Sequence, residues 1–447
     1  MKIVRQLVSG SHMNPKVLLS AAGRLQHRLA LKMYALRLRS ISRQSYVHGS
    51  VSGRELLEAV SSEIEASRQV ETRLYSQQLF NHFPSVRMPF SGKLTSSLGK
   101  NLELICAFRQ CALWYEQGRL MGDNDAQTGS FKRQSEAVWD EVRSCSQAIS
   151  PGPSALDVVV PVHNNGIFLL AKCLPSLVAN KAWKRMRVLI VDDASDDDRT
   201  KEILTELESG IRNVEVIRLK GTPSGSASVP RNKGLSKATS DLVSFLDPDN
   251  EISVGGYDEL LRQFYSGSKR PDAATGYQLK VGKRLSANSR HTFRRRKTVS
   301  NPKSLLQQAH RFPVISTQAS VIDLQFLQKC SLKFIEGAVG QDTVFGWEIL
   351  LKANRIVLCS RPYIVYYAER NDSVTNEIGT EYFSKALIRE RAQSKLLKEY
   401  GLIQRFRKYQ LEPTMSEVYK PKLDSLQGDN LIYAEKVLKE IYRLYDA

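Results

Sequence analysis

Two aspartates separated by one proline form the most chemically informative segment of the chain, Asp247-Pro248-Asp249-Asn250. They follow an apolar run at residues 242–246, whose shortness and branched side chains predict a buried strand. Two carboxylates two positions apart in extended chain point to the same side, where a divalent cation relieves their repulsion. Because such a cation can hold a pyrophosphate, the segment predicts a metal-assisted phosphate site. The same residues are also typical of a turn, and taken alone the segment leaves both interpretations open.

The elements that would position this segment are short apolar runs that alternate with segments of helical length. The predicted strands are 156–162, 187–191, 214–219 and 242–246, with helices predicted at 168–180 and 199–209 between them. This alternation predicts a parallel sheet with right-handed crossovers, in which ligands bind beyond the carboxyl ends of the strands. Further strands are predicted at 273–281, 319–322, 355–358 and 363–367.

Helical patterns flank this alternating region on both sides. Residues 15–147 show few strand-like runs, and Ser150-Pro151-Gly152-Pro153-Ser154 interrupts the pattern because two prolines and a glycine continue neither helix nor sheet. Beyond residue 380 helices are predicted again, at 386–400 and 433–444. The predicted domains are a basic helical N-terminal region, an α/β domain and a helical C-terminal region, at residues 1–150, 155–375 and 376–447.

Length and charge narrow the classes of function. A chain of 447 residues can bury a large core in at least one domain. Its 65 Lys and Arg against 46 Asp and Glu leave a net charge of +19, which favours a polyanionic partner: nucleic acid, an anionic membrane surface or a phosphorylated substrate. The six cysteines form no close pairs, which is typical of a reducing compartment. With no apolar stretch of the ~18 residues that span a membrane, the sequence predicts a cytoplasmic protein, either free or peripheral at the inner face of the membrane.

The first fifty residues are basic, with nine Lys or Arg and no Asp or Glu. Apolar residues recur at helical spacing through 18–36, which predicts an amphipathic helix. The helix either packs on the rest of the protein or lies in an anionic membrane interface, and the composition also fits an organelle transit peptide. Gly10-Ser11-His12-Met13 is typical of a cloning remnant, so residues 1–13 are interpreted as derived from a tag.

The usual phosphate-binding loops are missing from the alternating region. No Gly-x-Gly-x-x-Gly follows a predicted strand, and the loop 220–228 lacks the Gly-Lys-Ser/Thr ending of a P-loop, which argues against an ATPase or a dehydrogenase. Four other polar segments stand at strand ends or helix starts instead. In chain order they are 158–165 (VVVPVHNN), 191–198 (VDDASDDD), 230–249 (PRNKGLSKA and the strand ending in DPD) and 336–342 (EGAVGQD).

This order of segments resembles the family two inverting glycosyltransferases, which have the GT-A fold and use nucleotide-diphospho-sugars. The resemblance extends over about residues 155–370 and covers neither flank. It implies an α/β fold, in which a Rossmann-like nucleotide-diphospho-sugar transferase domain lies between helical N-terminal and C-terminal flanks. It also implies that the polar segments meet around one donor site.

In the family, the turn after the first strand and an aspartate after the second bind the base of the nucleotide, which points here to Pro161, His163 and Asp193. A carboxylate accepts from an imide N–H such as that of uracil, and an imidazole ring can stack on a base. Relatives commonly carry Tyr or Phe at the position of His163, so weaker stacking is expected here, and a turn histidine without function is the alternative. The acids at 196–198 are predicted to cap the following helix.

The third segment supplies the residues that the resemblance assigns to the diphosphate. Arg231 corresponds to an arginine near the pyrophosphate, and Asp249 to the ligand of Mg²⁺ or Mn²⁺. Asp247 corresponds to a residue that lies either near the ribose or behind the metal ligands. An exposed arginine at a helix start is the alternative for Arg231. Since Asn250 stands where the family pattern has a further Asp, weak metal affinity is expected without the nucleotide.

The fourth segment supplies the general base that the resemblance implies, Asp342. In the family, this carboxylate takes the proton from the acceptor hydroxyl as its oxygen attacks the anomeric carbon, so one displacement inverts the configuration. Gln341 replaces a Glu common in relatives, which removes a charge that could tune the base. The alternative for Asp342 is a helix cap.

The expected function is transfer of a sugar, UDP-linked by expectation, to a hydroxyl of a glycan, glycolipid or surface polymer. The basic run 291–297 either binds a phosphorylated or lipid-linked acceptor, binds nucleic acid, or is solvated. Two alternatives are a catalytically silent sugar-nucleotide-binding protein and a nucleic-acid-binding basic protein, of which the second is the less favoured. The helical flanks could also mediate oligomer formation.

Overall fold

A computed structural model describes the greater part of the chain from residue 101 onward, within one compact unit that spans Leu98–Ala447. The predictions for the basic N-terminal residues up to 100 and for the arginine run at 291–296 lie outside the described residues. The described residues are 101, 104–105, 107–108, 111–112, 114–115, 125–266, 269–281, 286–287, 297–309, 311–367 and 379–446.

A sheet of ten strands forms the centre of the described structure. The strands are β1 Leu156–Val162, β2 Met186–Asp192, β3 Val214–Arg218, β4 Leu242–Phe245, β5 Glu251–Ile252, β6 Ala273–Val281, β7 Ser286–Ala287, β8 Lys297–Val299, β9 Ser320–Asp323 and β10 Ile356–Tyr367. The main path of the sheet runs β3-β2-β1-β4-β9-β6-β10-β5, with β7 paired to β6 and β8 paired to β10.

The first four strands pair in parallel, as the alternation of strands and helices predicts. Beyond β4 the sheet is mixed, because β9 runs antiparallel to both β4 and β6, whereas β10 runs parallel to β6. The strands predicted at 355–358 and 363–367 are also one strand, β10. Its register against β6 shifts on both sides of Pro362, which has no N–H to donate, and this irregularity explains the break in the apolar pattern.

Helices cover the sheet and continue into the C-terminal flank, and within the described residues no helix is long and apolar enough to cross a membrane. After residue 402 the chain forms consecutive short helical segments at Ile403–Phe406, Arg407–Leu411, Glu412–Thr414, Met415–Tyr419 and Lys420–Leu423. The helices are α1 Asp125–Gln147, α2 Leu174–Val178 (preceded by helical turns Gly166–Phe168 and Leu169–Cys173), α3 Asp198–Gly210, α4 Ser228–Lys237, α5 Gly256–Tyr265, α6 Ser304–Gln308, α7 Leu324–Lys329, α8 Gln341–Lys352, α9 Thr380–Glu399 and α10 Gly428–Leu444.

The hydrophobic core joins the sheet to the C-terminal helices. Every residue of β1 is buried, and all of them except Asp157 are apolar. On the C-terminal side, the ring of Phe406 lies 5.9 Å from those of Phe312 and Trp347 and stacks on Tyr445 at 4.7 Å. The helices after residue 379 therefore share one core with the sheet.

Parallel pairing brings the ends of the first strands to one edge. Val162 at the end of β1 pairs with Asp192 at the end of β2, and Val159 pairs with Phe245 at the end of β4. The polar segments that follow these strands consequently begin side by side. This edge is where ligands bind in open α/β sheets.

Candidate active site

The turn after β1 and the turn after β2 contact each other directly. The N–H of Asp193 donates to the carbonyl of Val162 at 2.8 Å, and Nδ1 of His163 lies 3.0 Å from the carbonyl oxygen of Asp193. His163 is exposed, whereas Pro161 is buried within β1 opposite Val191. The structure thus brings together the three residues predicted to bind the nucleotide base, and the imidazole is the one that reaches solvent.

The carboxylate of Asp193 is held in a fixed direction by the loop between β3 and α4. Its Oδ2 accepts from the N–H of Ser224 at 3.0 Å and from the Ser224 hydroxyl at 2.6 Å, and the residue is only 5% exposed. Sequence reasoning missed Ser224, because the loop was considered only as a P-loop. Its richness in Ser and Gly was the available signal, since such residues let backbone N–H groups approach an acid.

The turn after β1 is also tied to the start of α3. Asn164 has a positive φ of 52°, and its Oδ1 accepts from the N–H groups of Asp196 and Asp197, each at 3.0 Å. Asp197 in turn caps α3 by accepting from the N–H of Thr200 at 2.8 Å. The predicted capping role of the acidic cluster is confirmed for Asp197.

Arg231 connects two acidic residues that are far apart in the sequence. Its Nη2 donates to Oδ1 of Asp247 and its Nη1 to Oδ1 of Asp342, both at 2.6 Å. The guanidinium is only 2% exposed, and burial acts to lower its pKa, but the two carboxylates outweigh this effect and raise the pKa. The structure excludes the alternative of an exposed arginine, and it unites three of the predicted site residues in one ion-paired group.

Tight packing of α4 on the sheet places Arg231 at this position. A Cβ at Gly234, one turn after Arg231, would lie 2.3 Å from Cγ1 of Val159 in β1, so only glycine allows this approach. The ring of Phe334 lies 5.2 Å from the guanidinium carbon of Arg231. The side chain of Asn232 holds the backbone of Phe334: its Oδ1 accepts from the Phe334 N–H at 2.8 Å, and its Nδ2 donates to the Phe334 carbonyl at 2.9 Å. These contacts anchor α4 to the sheet and to the chain that leads to Asp342.

Asp342 is the second residue of α8 and does not cap it. The cap position is Gly340, whose φ of +71° starts the helix without a side-chain hydrogen bond. Partial withdrawal of the Asp342 carboxylate from water raises its pKa, the charge of Arg231 opposes this rise, and the charge of Asp247 adds to it. Because 40% of the side chain is exposed, solvent moderates the rise. The carboxylate is therefore oriented by Arg231 and accessible to a substrate.

The segment Asp247-Pro248-Asp249-Asn250 is a turn and part of the site at once. The strand β4 ends at Phe245, and the N–H of Asn250 donates to the carbonyl of Asp247 at 3.1 Å. The assumption that the two aspartates lie in extended chain is therefore wrong. Proline and asparagine favour this turn, which displays Asp247 and Asp249, both half-buried, beyond the strand end.

Gln318, which sequence reasoning missed, fixes this turn from β9's side of the sheet. Its Nε2 donates to Oδ2 of Asp247 at 2.8 Å, and its Oε1 accepts from the Asp247 N–H at 3.1 Å and from Nδ2 of Asn250 at 3.0 Å. Asn250 is fully buried and also accepts from the N–H of Tyr367 at 3.3 Å. Asn250 is consequently a structural residue of the turn. No local sequence signal pointed to Gln318, because the contact crosses more than seventy residues.

The residues present fit a divalent cation only if a ligand completes its coordination. Both carboxylate oxygens of Asp247 already accept hydrogen bonds, from Arg231 and Gln318. Among the described residues, no group of three or more His, Cys, Asp or Glu side chains could hold a metal ion. Asp249 therefore remains the candidate protein ligand. This arrangement suits Mg²⁺ or Mn²⁺, which bind through one or two carboxylates together with substrate phosphates and water.

Comparison with known proteins decides the family of the sheet domain. Residues 157–322 match the model described as Glycosyl transferase family 2. This segment is a family 2 glycosyltransferase domain. The glycosyltransferase domain so defined contains Pro161, His163, Asp193, Arg231 and the turn 247–250, whereas Asp342 follows the matched segment.

Curated relatives of the glycosyltransferase domain are bacterial. The chain is 30% identical over 115 residues to a GalNAc(5)-diNAcBac-PP-undecaprenol beta-1,3-glucosyltransferase of Campylobacter jejuni, which covers 25% of this chain and 35% of the relative. It is 28% identical over 221 residues to a poly(ribitol-phosphate) beta-glucosyltransferase of Bacillus spizizenii, which covers 48% of this chain and 32% of the relative. These matches span about one third of the relatives' own length.

Solved structures confirm the fold. The TarS 1-349 fragment of S. aureus, crystallised in complex with UDP-GlcNAc, superimposes with a TM-score of 0.53 at 19% identity, over 65% of this chain and 81% of the fragment. The same fragment crystallised by itself gives a TM-score of 0.50 at 18% identity, with the same coverage. The predicted GT-A fold with helical flanks, and the resemblance to family two glycosyltransferases, are confirmed.

Proposed function

We propose that this protein is an inverting glycosyltransferase that moves a sugar from a UDP-linked donor to a hydroxyl of a glycan, glycolipid or surface polymer. The observation that carries the proposal is the Arg231 bridge, with 2.6 Å contacts to both Asp247 and Asp342. It joins the acid expected beside the donor to the acid expected to activate the acceptor. The relatives' names support the acceptor class, since they describe transfer to a polyprenol-linked glycan and to poly(ribitol-phosphate).

Donor binding falls to the residues at the ends of β1 and β2. The carboxylate of Asp193, oriented by Ser224, accepts a hydrogen bond from the imide N–H of uracil. The exposed imidazole of His163 stacks on the ring of the base. The TarS fragment that shares this fold was crystallised with UDP-GlcNAc, which supports a UDP-sugar as the donor.

The diphosphate is bound beyond β4. Arg231 contributes a permanent positive charge beside it, and Asp249 would hold a Mg²⁺ or Mn²⁺ ion. Such an ion, when bound, would stabilise the negative charge that develops on the departing nucleoside diphosphate. Low affinity for the metal in the absence of nucleotide follows from this incomplete set of protein ligands.

The transfer step assigns a proton acceptor to Asp342. Its carboxylate takes the proton of the acceptor hydroxyl as that oxygen forms a bond to the anomeric carbon. The bond between the anomeric carbon and the diphosphate oxygen breaks, and UDP leaves with the electron pair on the face opposite the new bond. The anomeric configuration is therefore inverted. Arg231 keeps the Asp342 oxygen in place through its 2.6 Å contact during this step.

Replacement of the base separates an enzyme from a silent binder. Asp342→Asn removes the proton acceptor, so the release of UDP from a UDP-sugar should fall about 10²- to 10⁴-fold. The matched control is Asp429→Asn, an exposed acid in the first turn of α10. Binding of UDP, followed by calorimetry, should persist in both variants. Wild-type turnover in Asp342→Asn would contradict the assignment, and a wild type that binds UDP-sugars without turnover would favour the silent binder.

A further inference from the structure

One turn of α9 contacts the loops on both sides of the proposed site. The turn comprises Lys385 and Arg389, four positions apart and therefore on the same face of the helix. One loop, residues 337–340, leads into Asp342. The other, residues 224–226, holds Asp193. Because α9 lies outside the matched glycosyltransferase domain, the comparisons assign it no role.

Arg389 supports the loop that leads to the base. Its Nη1 donates to the carbonyl of Val339 at 3.3 Å, while the N–H of Val339 donates to the carbonyl of Lys385 at 3.4 Å. A Cβ at Gly340 would lie 2.6 Å from Nη1 of Arg389, so the guanidinium packs directly on the backbone that starts α8. Two residues further on stands Asp342. A displacement of Arg389 would thus move the base relative to Arg231.

Lys385 supports the loop that holds the nucleotide acid. Its Nζ donates to the carbonyl of Gly225 at 3.0 Å and pairs with Glu381 at 2.8 Å, and only 13% of its side chain is exposed. Gly225 has a φ of +69° and follows Ser224, whose N–H and hydroxyl orient Asp193. The bond from Lys385 therefore closes this turn in the conformation that directs Ser224 at the acid.

A buried polar network holds the contacting turn of α9 rigidly. Glu390, only 2% exposed, accepts from Nη2 of Arg389 at 2.5 Å and from the Tyr419 hydroxyl at 2.7 Å. Its other oxygen accepts from Gln393 at 3.0 Å and from the Tyr445 hydroxyl. Tyr419 also accepts from Arg389 at 2.7 Å. Since Tyr419 and Tyr445 come from the segments after α9, those parts of the C-terminal flank contribute to the position of Arg389.

We propose that α9 positions the two halves of the active site, with Arg389 setting the place of the base Asp342 and Lys385 setting the grip of Ser224 on Asp193. Both are positioning residues that act through these loops. The proposal rests on the proposed function and adds the C-terminal flank to its catalytic frame. A flank that only stabilised the fold would alter the amount of active protein and nothing else.

The two contacts predict different kinetic defects. Arg389→Lys keeps a cation beside Glu390 but cannot span both Val339 and Tyr419, so kcat for UDP release should fall about tenfold while the donor KM stays within about twofold. Lys385→Met should raise the donor KM about fivefold with kcat within about twofold, because only the nucleotide grip is loosened. The matched control is Arg391→Met on the same helix, whose partner is the exposed Glu440. It should change neither constant.

Titration of Asp342 provides a readout that does not depend on turnover. If Arg389 positions the base, Arg389→Lys should loosen the contact between Asp342 and Arg231, and the carboxyl of Asp342, followed by ¹³C NMR and assigned with Asp342→Asn, should then titrate at higher pH than in wild type. The proposal would be overturned if the titration of Asp342 in Arg389→Lys matched that in wild type. It would also be overturned if Arg389→Lys and Lys385→Met both lost activity without a change in the donor KM or in the pH profile.

Misfolding of a variant, or absence of the proposed activity, can each be distinguished from failure of the positioning proposal. If Arg389→Lys lowers the melting temperature strongly, the double variant Arg389→Met/Glu390→Gln is used in its place in the same measurements. This variant removes both charges of the buried pair and so leaves no unpaired charge. A wild type that releases no UDP from UDP-glucose or UDP-GlcNAc contradicts the proposed function, and the titration of Asp342 then decides the positioning role by itself.

Discussion

At the scale of single residues, the site depends on one buried cation shared by two acids. Arg231 is removed from water, which costs free energy unless charged partners compensate, and Asp247 and Asp342 supply that compensation at 2.6 Å each. The same bridge sets the electrostatics of the base. Asp342 feels a cation that favours its ionised form and a second carboxylate that disfavours it.

The pH dependence of activity follows from these opposing charges. As the proposed general base, Asp342 would act only when ionised, and its pKa is raised above the usual 3.8, so activity should fall as the pH drops through a value above 3.8. Asp247→Asn removes the carboxylate that contributes to the rise and should shift the acidic limb of the kcat/KM profile to lower pH. The pH at which the limb falls is measured from the residual activity of Asp247→Asn. The absolute size of that activity does not affect this pH. A limb that stays in place or moves upward would contradict this account.

Asp249 should govern the effect of metal on donor binding. In wild type, UDP with Mn²⁺ should raise the melting temperature a few degrees more than UDP alone, since a ligand at 100 times its Kd contributes about 2.7 kcal/mol. Asp249→Asn should abolish this metal-dependent increment and keep the shift that UDP produces alone. Asp429→Asn serves as the control and should behave as wild type. An intact increment in Asp249→Asn would place the metal elsewhere.

At the scale of elements, the packing of helix α4 on the sheet determines the position of Arg231 in the proposed site. Gly234 lets α4 approach β1 closely, and Arg231 lies one turn earlier on the same helix. Asn232 then ties α4 to the loop around Phe334. The distance between α4 and the sheet therefore sets the place of the guanidinium.

Gly234→Ala should disturb both stability and activity. Its Cβ would lie 2.3 Å from Cγ1 of Val159, and overpacking of this kind costs about 1–3 kcal/mol. The midpoint of urea unfolding should fall at constant slope, and kcat should fall because Arg231 moves with the helix. Gly152→Ala, whose Cβ would meet its nearest neighbours at 3.5 Å, is the control and should change neither quantity. A variant as stable and active as that control would show that α4 is not held so tightly.

At the scale of the whole molecule, the glycosyltransferase domain and the C-terminal helices form one structure. The rings of Phe406 and Phe312 meet at 5.9 Å, and the backbone of α9 reaches the loop before Asp342. Burial of aromatic side chains across this boundary contributes about 1.5–3 kcal/mol per residue. The two parts should therefore unfold together.

Hydrogen exchange tests this shared core. Phe406→Ala should lower the free energy of unfolding by about 3–5 kcal/mol and reduce the protection of the amides of β1, although β1 belongs to the sheet. Ile432→Ala, at a side chain that is 66% exposed, is the control and should leave β1 unchanged. Loss of protection confined to α9 and α10 in Phe406→Ala would instead show that the C-terminal helices open as a separate unit.

The sequence by itself determined which residues carry the chemistry and which elements precede them. The apolar runs before His163, Asp193 and Asp247 predicted three parallel strands, because a strand that is buried on both faces has mostly apolar residues in succession. The order of the polar segments indicated the family, which the comparison with known proteins confirmed for residues 157–322. Helices were likewise predicted at 199–209, 386–400 and 433–444, and these predictions overlap α3, α9 and α10. The roles assigned to the site residues remain predictions.

Only the tertiary structure decided which of these residues meet. Strand direction leaves no trace in apolar periodicity, so the antiparallel β9 and the contact of Gln318 with Asp247 could not be predicted. The Arg231–Asp342 contact joins positions 111 residues apart, and the support of the loop before Asp342 by Arg389 comes from a helix beyond the matched domain. Local patterns record whether a residue is buried and in what backbone conformation, whereas partners at such separations are selected by how helices and sheet pack, which depends on the whole chain at once.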